Sequence, residues 1–395
     1  MRILFLSPRQ CWPAHSGAKL REYYLVRALS QDAVITHISF SETGAPVSLN
    51  DLPFCRQVVS VPRPRSYTPD KILRGLLGRR PLPVVNYTSV AMERTLARLL
   101  EEQQFELIHL DSIHMSAYVP LLRRATSAPM VYDWHNIESE AMRRYSSRST
   151  SLLRRGYAAL TGARLERLET EALGGMFGHL VCSERERGKL LARKPEARIA
   201  VIENGVDCAF FAAPGAPFEE RRRLVFVGLM DYHANAEAVL FFAREIWPQV
   251  RREFRGWSLT IVGANPTPEV RALHGSDDIE VTGTVPDVRP FYREARAAIV
   301  PLRVGGGTRL KILEAMAAGV PVVSTTLGAE GLAVLPDKEV LIADRAEDWI
   351  RHLKTLGDEP LWNEISAAGR NLARTRYDWE VIGARLRQTY HAWLA

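Results

Sequence analysis

Short apolar runs rich in Val, Ile and Leu recur along this chain, with longer amphipathic stretches between them. In the first half they include ILFL at 3–6, LIHL at 107–110, MVYD at 130–133 and IAVI at 199–202, with further runs at 33–40, 57–61 and 179–182. In the second half LVFV at 224–227, SLTIV at 258–262, AAIV at 297–300 and PVVS at 321–324 repeat the pattern, joined by 279–282 and 341–343. Runs this short and this apolar suit strands buried on both faces. Strands joined by helices run parallel, because a crossover is needed to bring the chain back. The expected class is therefore α/β, built from doubly wound parallel sheets.

The series is interrupted once, at AFFAAPGAPFEERRR (209–223), where glycine and prolines break any helix or strand. With 395 residues and 46% hydrophobic composition, the chain can bury two cores. Two Rossmann-like domains are expected, covering 1–208 and 209–377. In open parallel sheets ligands bind outside the carboxyl ends of the strands. The natural site for two such domains is the cleft they face across. The segments to inspect are then 7–17, 111–114, 133–136, 204–207, 228–235, 263–266, 283–287 and 303–308.

Several classes are disfavoured. The start, MRILFLSPRQ, is broken by Ser7, Pro8 and Arg9, too early for a signal peptide or a membrane span, and reads as a first strand. Cys11, Cys55, Cys182 and Cys208 are scattered, with no CxxC or Cys/His spacing, so neither zinc nor disulfides are expected and a reducing cytoplasm is the default location. Residues 1–210 hold 29 basic and 21 acidic side chains, the remainder 23 and 24. The positive excess lies in 56–80 and 142–167, interleaved with Tyr67, Leu73, Leu76, Leu77, Leu152, Leu153 and Tyr157. Cationic segments carrying apolar and aromatic residues suit an anionic membrane surface. The other reading is a solvated, arginine-rich helical face. No nucleic-acid-binding motif accompanies the charge.

The densest chemistry lies in VGGGTRLKILEAMAAGVPVVST (304–325). The glycines, with Gly306 and Gly307 nearest the helix, follow a strand. A helix runs from about Thr308 to Ala318, stopped by Gly319. A glycine loop feeding a helix N-terminus offers free N–H groups and a positive dipole end, which suits a phosphate. Arg309 and Lys311 oppose that dipole, and make sense there beside an anion. The Glu314 carboxylate can accept two neighbouring hydroxyls, as on a ribose. A P-loop is excluded because Leu310, not glycine, precedes the lysine. No GxGxxG follows the first strand, which disfavours a dinucleotide oxidoreductase.

Taken with SPRQCWPAHSGAKLREYYLVRALS, VYDWHNIESE, VCSERER, VIENGVD, FVGLMDYHANAEAVLFF and VTGTVPDV, this stretch resembles the family 4 glycosyltransferases over nearly the whole chain. The resemblance implies the GT-B fold, a nucleotide-sugar donor bound by the C-terminal domain, and a last helix, 378–395, completing the N-terminal, acceptor-binding one. It also implies residue roles. Glu314 matches the second glutamate of the E-x7-E signature, the ribose ligand, while the first falls at Gly306. His135 matches a histidine that approaches the donor sugar. Gly17 matches the glycine loop of the N-terminal domain, with Ser16 as a candidate cap for the following helix. Val285 lies in the loop beside the nucleobase. The family's diphosphate-binding Arg and Lys are missing from GLMDYHANAEA, and Arg309 and Lys311 are inferred to take over that charge.

The expected activity is retaining transfer of a hexose-type sugar from a UDP- or GDP-linked donor to a glycan or lipid-linked glycan hydroxyl. Front-face attack is implied by the resemblance. No DxD motif occurs, so no metal is expected to be required. Asp111, His114 or Asp133 would be candidate bases for an inverting enzyme. A nucleotide-sugar epimerase and a non-catalytic nucleotide-sugar-binding protein share the architecture. The expected location is cytoplasmic, peripheral on the inner face of a membrane.

Overall fold

The computed structural model describes the chain apart from residues 43–45, 149–150, 213–214, 306 and 308. It divides into two compact units, Met1–Glu203 with Gly383–Ala395, and Asn204–Ile382. The divisions lie near, but not at, the 208/209 and 377/378 junctions read from the sequence.

The first unit holds seven strands: β1 Arg2–Ser7, β2 Val34–Ser41, β3 Gln57–Pro62, β4 Leu107–Asp111, β5 Met130–Trp134, β6 Gly178–Val181 and β7 Ile199–Val201. They form one parallel sheet in the order β3-β2-β1-β4-β5-β6-β7. Register sets Ile3 between Ile35 and Leu107, and Asp111 beside Asp133. Ile3, Leu4, Phe5 and Leu6 are all fully buried, as expected of a strand covered on both faces.

The second unit holds β8 Arg223–Val227, β9 Ser258–Val262, β10 Ile279–Gly283, β11 Ala295–Val300, β12 Val322–Ser324 and β13 Leu341–Ile342. Its parallel sheet has the order β10-β9-β8-β11-β12-β13. Strand order therefore reverses beside β1 and β4 in one unit and beside β8 and β11 in the other. Such switch points open a crevice at the carboxyl edge of each sheet.

Each expected strand is present to within two residues at its ends. The helices needed more correction. The amphipathic stretch between β8 and β9 is not one continuous helix but a helix His233–Phe241, a π-helical turn Phe242–Ile246 and a helix Trp247–Glu253. Pro248 has no N–H to donate, and the wider turn before it accommodates that loss. Ser16 stands at the N-cap of the Gly17–Leu29 helix but makes no side-chain capping bond. The glycine-fed helix is Leu310–Ala317, with Arg309 at its N-cap. The final helix, Trp379–Leu394, starts in the second unit and continues into the first. No helix among the described residues is long and apolar enough to cross a membrane.

Candidate functional site

In the second unit the chemistry gathers at the β8–β11 switch point. Lys311 is the second residue of its helix, and its stem is directed back toward the end of β8. Its Nζ donates to Asn235 Oδ1 at 2.7 Å and lies 3.9 Å from the centre of the Phe226 ring. Asn235 is itself held by donating Nδ2 to the Leu229 carbonyl at 2.8 Å. Gly228 completes the contact, since a Cβ there would stand 2.8 Å from Lys311 Nζ and 2.7 Å from Asn235 Nδ2. Lys311 is thus brought to the loop after β8 from another element. Burial first, and then the neighbouring Arg309 cation, push the Lys311 pKa down to about 7.

Arg309 is buried, and its guanidinium faces the glycine loop. A Cβ on Gly305 would lie 3.6 Å from Arg309 Nη2 and 3.2 Å from the Tyr232 hydroxyl. One turn into the helix, Glu314 accepts a hydrogen bond from the Tyr292 hydroxyl at 3.1 Å. Burial raises the Glu314 pKa, and Tyr292 and Lys311 pull partly against it. Val285 is half-buried against the core of this unit, followed by the Asp287–Arg289 ion pair at 2.8 Å. Gly307 is exposed, with φ of 83°. Gly306 and Thr308 lie outside the described residues.

In the first unit the cluster stands at the ends of β1, β4 and β5. His135, just past β5, bonds through Nε2 to Asp111 Oδ1 at 2.5 Å. Asp111 ends β4, is fully buried, and has Arg9 Nη2 3.9 Å from its other oxygen. Burial alone would raise the Asp111 pKa, but His135 and Arg9 outweigh it and hold the carboxyl below its usual range. His114 bonds Ser112 Oγ at 2.7 Å, and its pKa falls to about 4 through burial and the Arg9 charge. Asp133, at the neighbouring strand end, is taken up by Arg21, with contacts of 2.9 and 2.7 Å between fully buried groups. That pairing removes Asp133 from the candidate bases. Gly17 is exposed at the start of its helix.

The predicted residues therefore assemble within their own units: Arg309, Lys311 and Glu314 in one, His135 with Asp111 in the other. Sequence reasoning missed Asn235, Tyr292 and Arg9 as participants. Arg9 could have been found as the first charge after β1. Asn235 closed the strand-end segment 228–235 but was not singled out within it, and Tyr292 carried no local signal. The fold also gathers ligand-type atoms that sequence spacing did not reveal, in Cys11–Glu22–His37 and in His109–Asp111–Asp133. His37 and Glu22 are already hydrogen-bonded to each other at 2.9 Å, as Asp133 is to Arg21.

Comparison with known proteins follows the same division. Residues 24–205 match a family model described as a glycosyl transferase 4-like domain. Residues 221–359 match one described as glycosyl transferases group 1. The glycogen synthase of Mycobacterium tuberculosis is 26% identical over 216 residues, covering 50% of this chain and 49% of that protein. A phosphatidyl-myo-inositol mannosyltransferase of Mycobacterium leprae is 30% identical over 200 residues, 48% and 52% of the two chains. The chain spans about half the length of these curated relatives. Among solved structures, sucrose-phosphate synthase from Thermosynechococcus elongatus has a TM-score of 0.72 at 18% identity, covering 99% of this chain and 98% of that one. Anabaena HepE in complex with UDP has a TM-score of 0.69 at 14% identity, covering 99% and 100%. At such identities the structural likeness is one of fold.

Proposed function

Because the chain belongs to the family 4 glycosyltransferases of the GT-B fold, we propose that it moves a hexose-type sugar from a nucleoside-diphosphate donor to a hydroxyl of a lipid-linked glycan, retaining the anomeric configuration. The observation that carries this reading is Lys311. Its ammonium stands against Gly228 and Asn235, at the loop where the family resemblance calls for a diphosphate-binding cation. An anionic ligand would offset both the desolvation of that lysine and its position at a helix N-terminus.

In this reading the diphosphate lies on the glycine loop, with Lys311, Arg309 and the first amides of the Leu310–Ala317 helix about it. Glu314, buttressed by Tyr292, accepts the ribose hydroxyls. The backbone near Val285 faces the base. The acceptor hydroxyl attacks the anomeric carbon on the side from which the phosphate departs. The bond from that carbon to the β-phosphate oxygen breaks, and the phosphate takes the acceptor's proton. Fixed cations and amides stabilise the charge growing on the leaving group, so no metal is required. In the first unit, His135 is assigned to the transferred sugar, with Asp111 orienting the imidazole through Nε2. The location assigned is cytoplasmic, at the membrane where such acceptors are held.

UDP and GDP are the candidate nucleotides. HepE is known with UDP-glucose, and a Mycobacterium tuberculosis relative, 30% identical over 157 residues, is named a GDP-mannose-dependent mannosyltransferase. A thermal-shift panel of UDP-, GDP-, ADP- and TDP-sugars, in the presence of EDTA, is expected to single out one of the first two. Release of that nucleotide should then require an acceptor, and NMR of the product should show the donor's anomeric configuration. Sugar isomerisation without acceptor, or no release with any acceptor, would overturn the reading.

A further inference from the structure

The helix Pro69–Leu77 is turned inside out. Its buried residues are Lys71 and Gly75, and Lys71 Nζ donates to the carbonyls of Arg65 and Asn86 at 2.8 and 3.1 Å. Ile72, Leu73, Leu76 and Leu77 face outward, with 37, 56, 42 and 78% of their surface exposed. A helix that packs its lysine and presents its leucines is built for a partner less polar than water.

A second helix, Leu152–Gly175, extends this surface. Leu153, Tyr157, Leu160, Arg164 and Arg167 follow each other by four, three, four and three residues, which places them on one stripe. The first three are exposed, Leu153 to 87%. Arg164 joins the two helices by donating to the carbonyls of Gly75 and Leu76, the latter at 2.7 Å. Where the stripe changes from apolar to cationic, a cavity of about 300 Å³ opens. Arg79, Arg80, Arg123, Arg164 and Arg167 line it, and its one lining acid, Glu171, is held by Arg167 at 3.0 Å.

We infer that this face of the first unit docks on an anionic phospholipid bilayer. The leucines and Tyr157 enter the boundary between headgroups and acyl chains, and the arginine-lined cavity receives a lipid phosphate. Apolar side chains flanked by arginines match such a surface in both polarity and charge. The inference deepens the lipid-linked acceptor proposed above and rests on it: docking brings the enzyme to the plane in which that acceptor lies.

The test is co-flotation of the purified chain with vesicles. Binding is expected to phosphatidylcholine vesicles containing about one-third phosphatidylglycerol, little to phosphatidylcholine alone, and to fade at ~0.5 M salt. Leu73→Asp with Leu153→Asp alters only exposed positions. It should leave the thermal midpoint unchanged and lower the bound fraction at least tenfold. Arg79→Glu with Arg80→Glu should abolish the preference for anionic vesicles. Wild-type protein that floats with neither vesicle, or equally with both, would overturn the proposal. So would self-association that the aspartate variants abolish in the absence of any vesicle binding. Transfer to a water-soluble glycan, assayed in parallel, separates the two ideas. If transfer persists without vesicle binding, docking falls and the enzyme stands. If vesicles bind but lipid-linked glycans go unused, docking stands and that acceptor falls.

Discussion

Lys311 is badly placed for stability in two ways. Its charge opposes the positive end of its own helix, and its surroundings strip it of water. A folded-state pKa of about 7, below the ordinary lysine value, means that folding favours the uncharged amine. The stability this group contributes is complete only above the ordinary lysine pKa, and is lost as pH falls toward 7. Lys311→Met should therefore raise the thermal midpoint of the ligand-free protein at neutral pH by a few degrees, on the order of 1 kcal/mol. The same change should weaken nucleoside-diphosphate binding at least tenfold, about 1.4 kcal/mol, by calorimetry. Bound diphosphate favours the ammonium, so wild-type affinity should fall roughly tenfold per unit as pH rises above 7, a slope that Lys311→Met flattens. Gly228→Ala gives an independent check. Its methyl would crowd both buried Asn235 and the end of Lys311, so donor affinity should drop, with a lower melting temperature as Asn235 is displaced. Glu314 and Lys311 were legible because both lie in one short stretch. Their partners were not: Asn235 is 76 residues from Lys311 and Tyr292 is 22 from Glu314, and only sheet order brings them together.

Elements followed a similar logic. The central strands could be read because burial on both faces leaves a nearly uninterrupted apolar run, as in AIV of β11 and VVS of β12. Helices were harder. Glu138–Arg148 is largely polar, so its sequence shows little local hydrophobicity to mark it. The stop of the Leu310–Ala317 helix was legible, and its geometry explains why. Gly319 has φ of 70°, the Gly319 N–H donates to the Met316 carbonyl, and the Val320 N–H donates to that of Ala315, both at 2.9 Å. This is the left-handed termination that glycine favours. A Cβ would also meet Arg370 Nη2 at 1.7 Å. Gly319→Ala should destabilise the second unit by about 1 kcal/mol or more in urea unfolding, and disturb donor binding through the tilt of that helix.

At the scale of the whole molecule, two parallel sheets each carry their polar cluster where strand order reverses. The first unit additionally buries a complete ion pair, Arg21–Asp133. Burial would raise the Asp133 pKa, but Arg21 outweighs it and holds the carboxyl well below its usual range. The pair's stabilisation is therefore present above pH ~4 and lost only as pH falls through that lowered value. Asp133→Asn leaves a buried guanidinium uncompensated and should cost about 3–5 kcal/mol, seen as a lower calorimetric midpoint. Pairing it with Arg21→Met should recover much of the loss. Close by, His109 bonds Tyr390 at 2.5 Å across 281 residues of chain, and residues 383–395 belong to the first unit. During synthesis, then, of these two units the one begun earlier is the one completed later. Its sheet can form early, but the tyrosine that closes beneath β4 arrives only after the whole second unit has been translated. The first unit's sheet must wait, with that face uncovered, for a segment that the chain supplies only beyond the second unit.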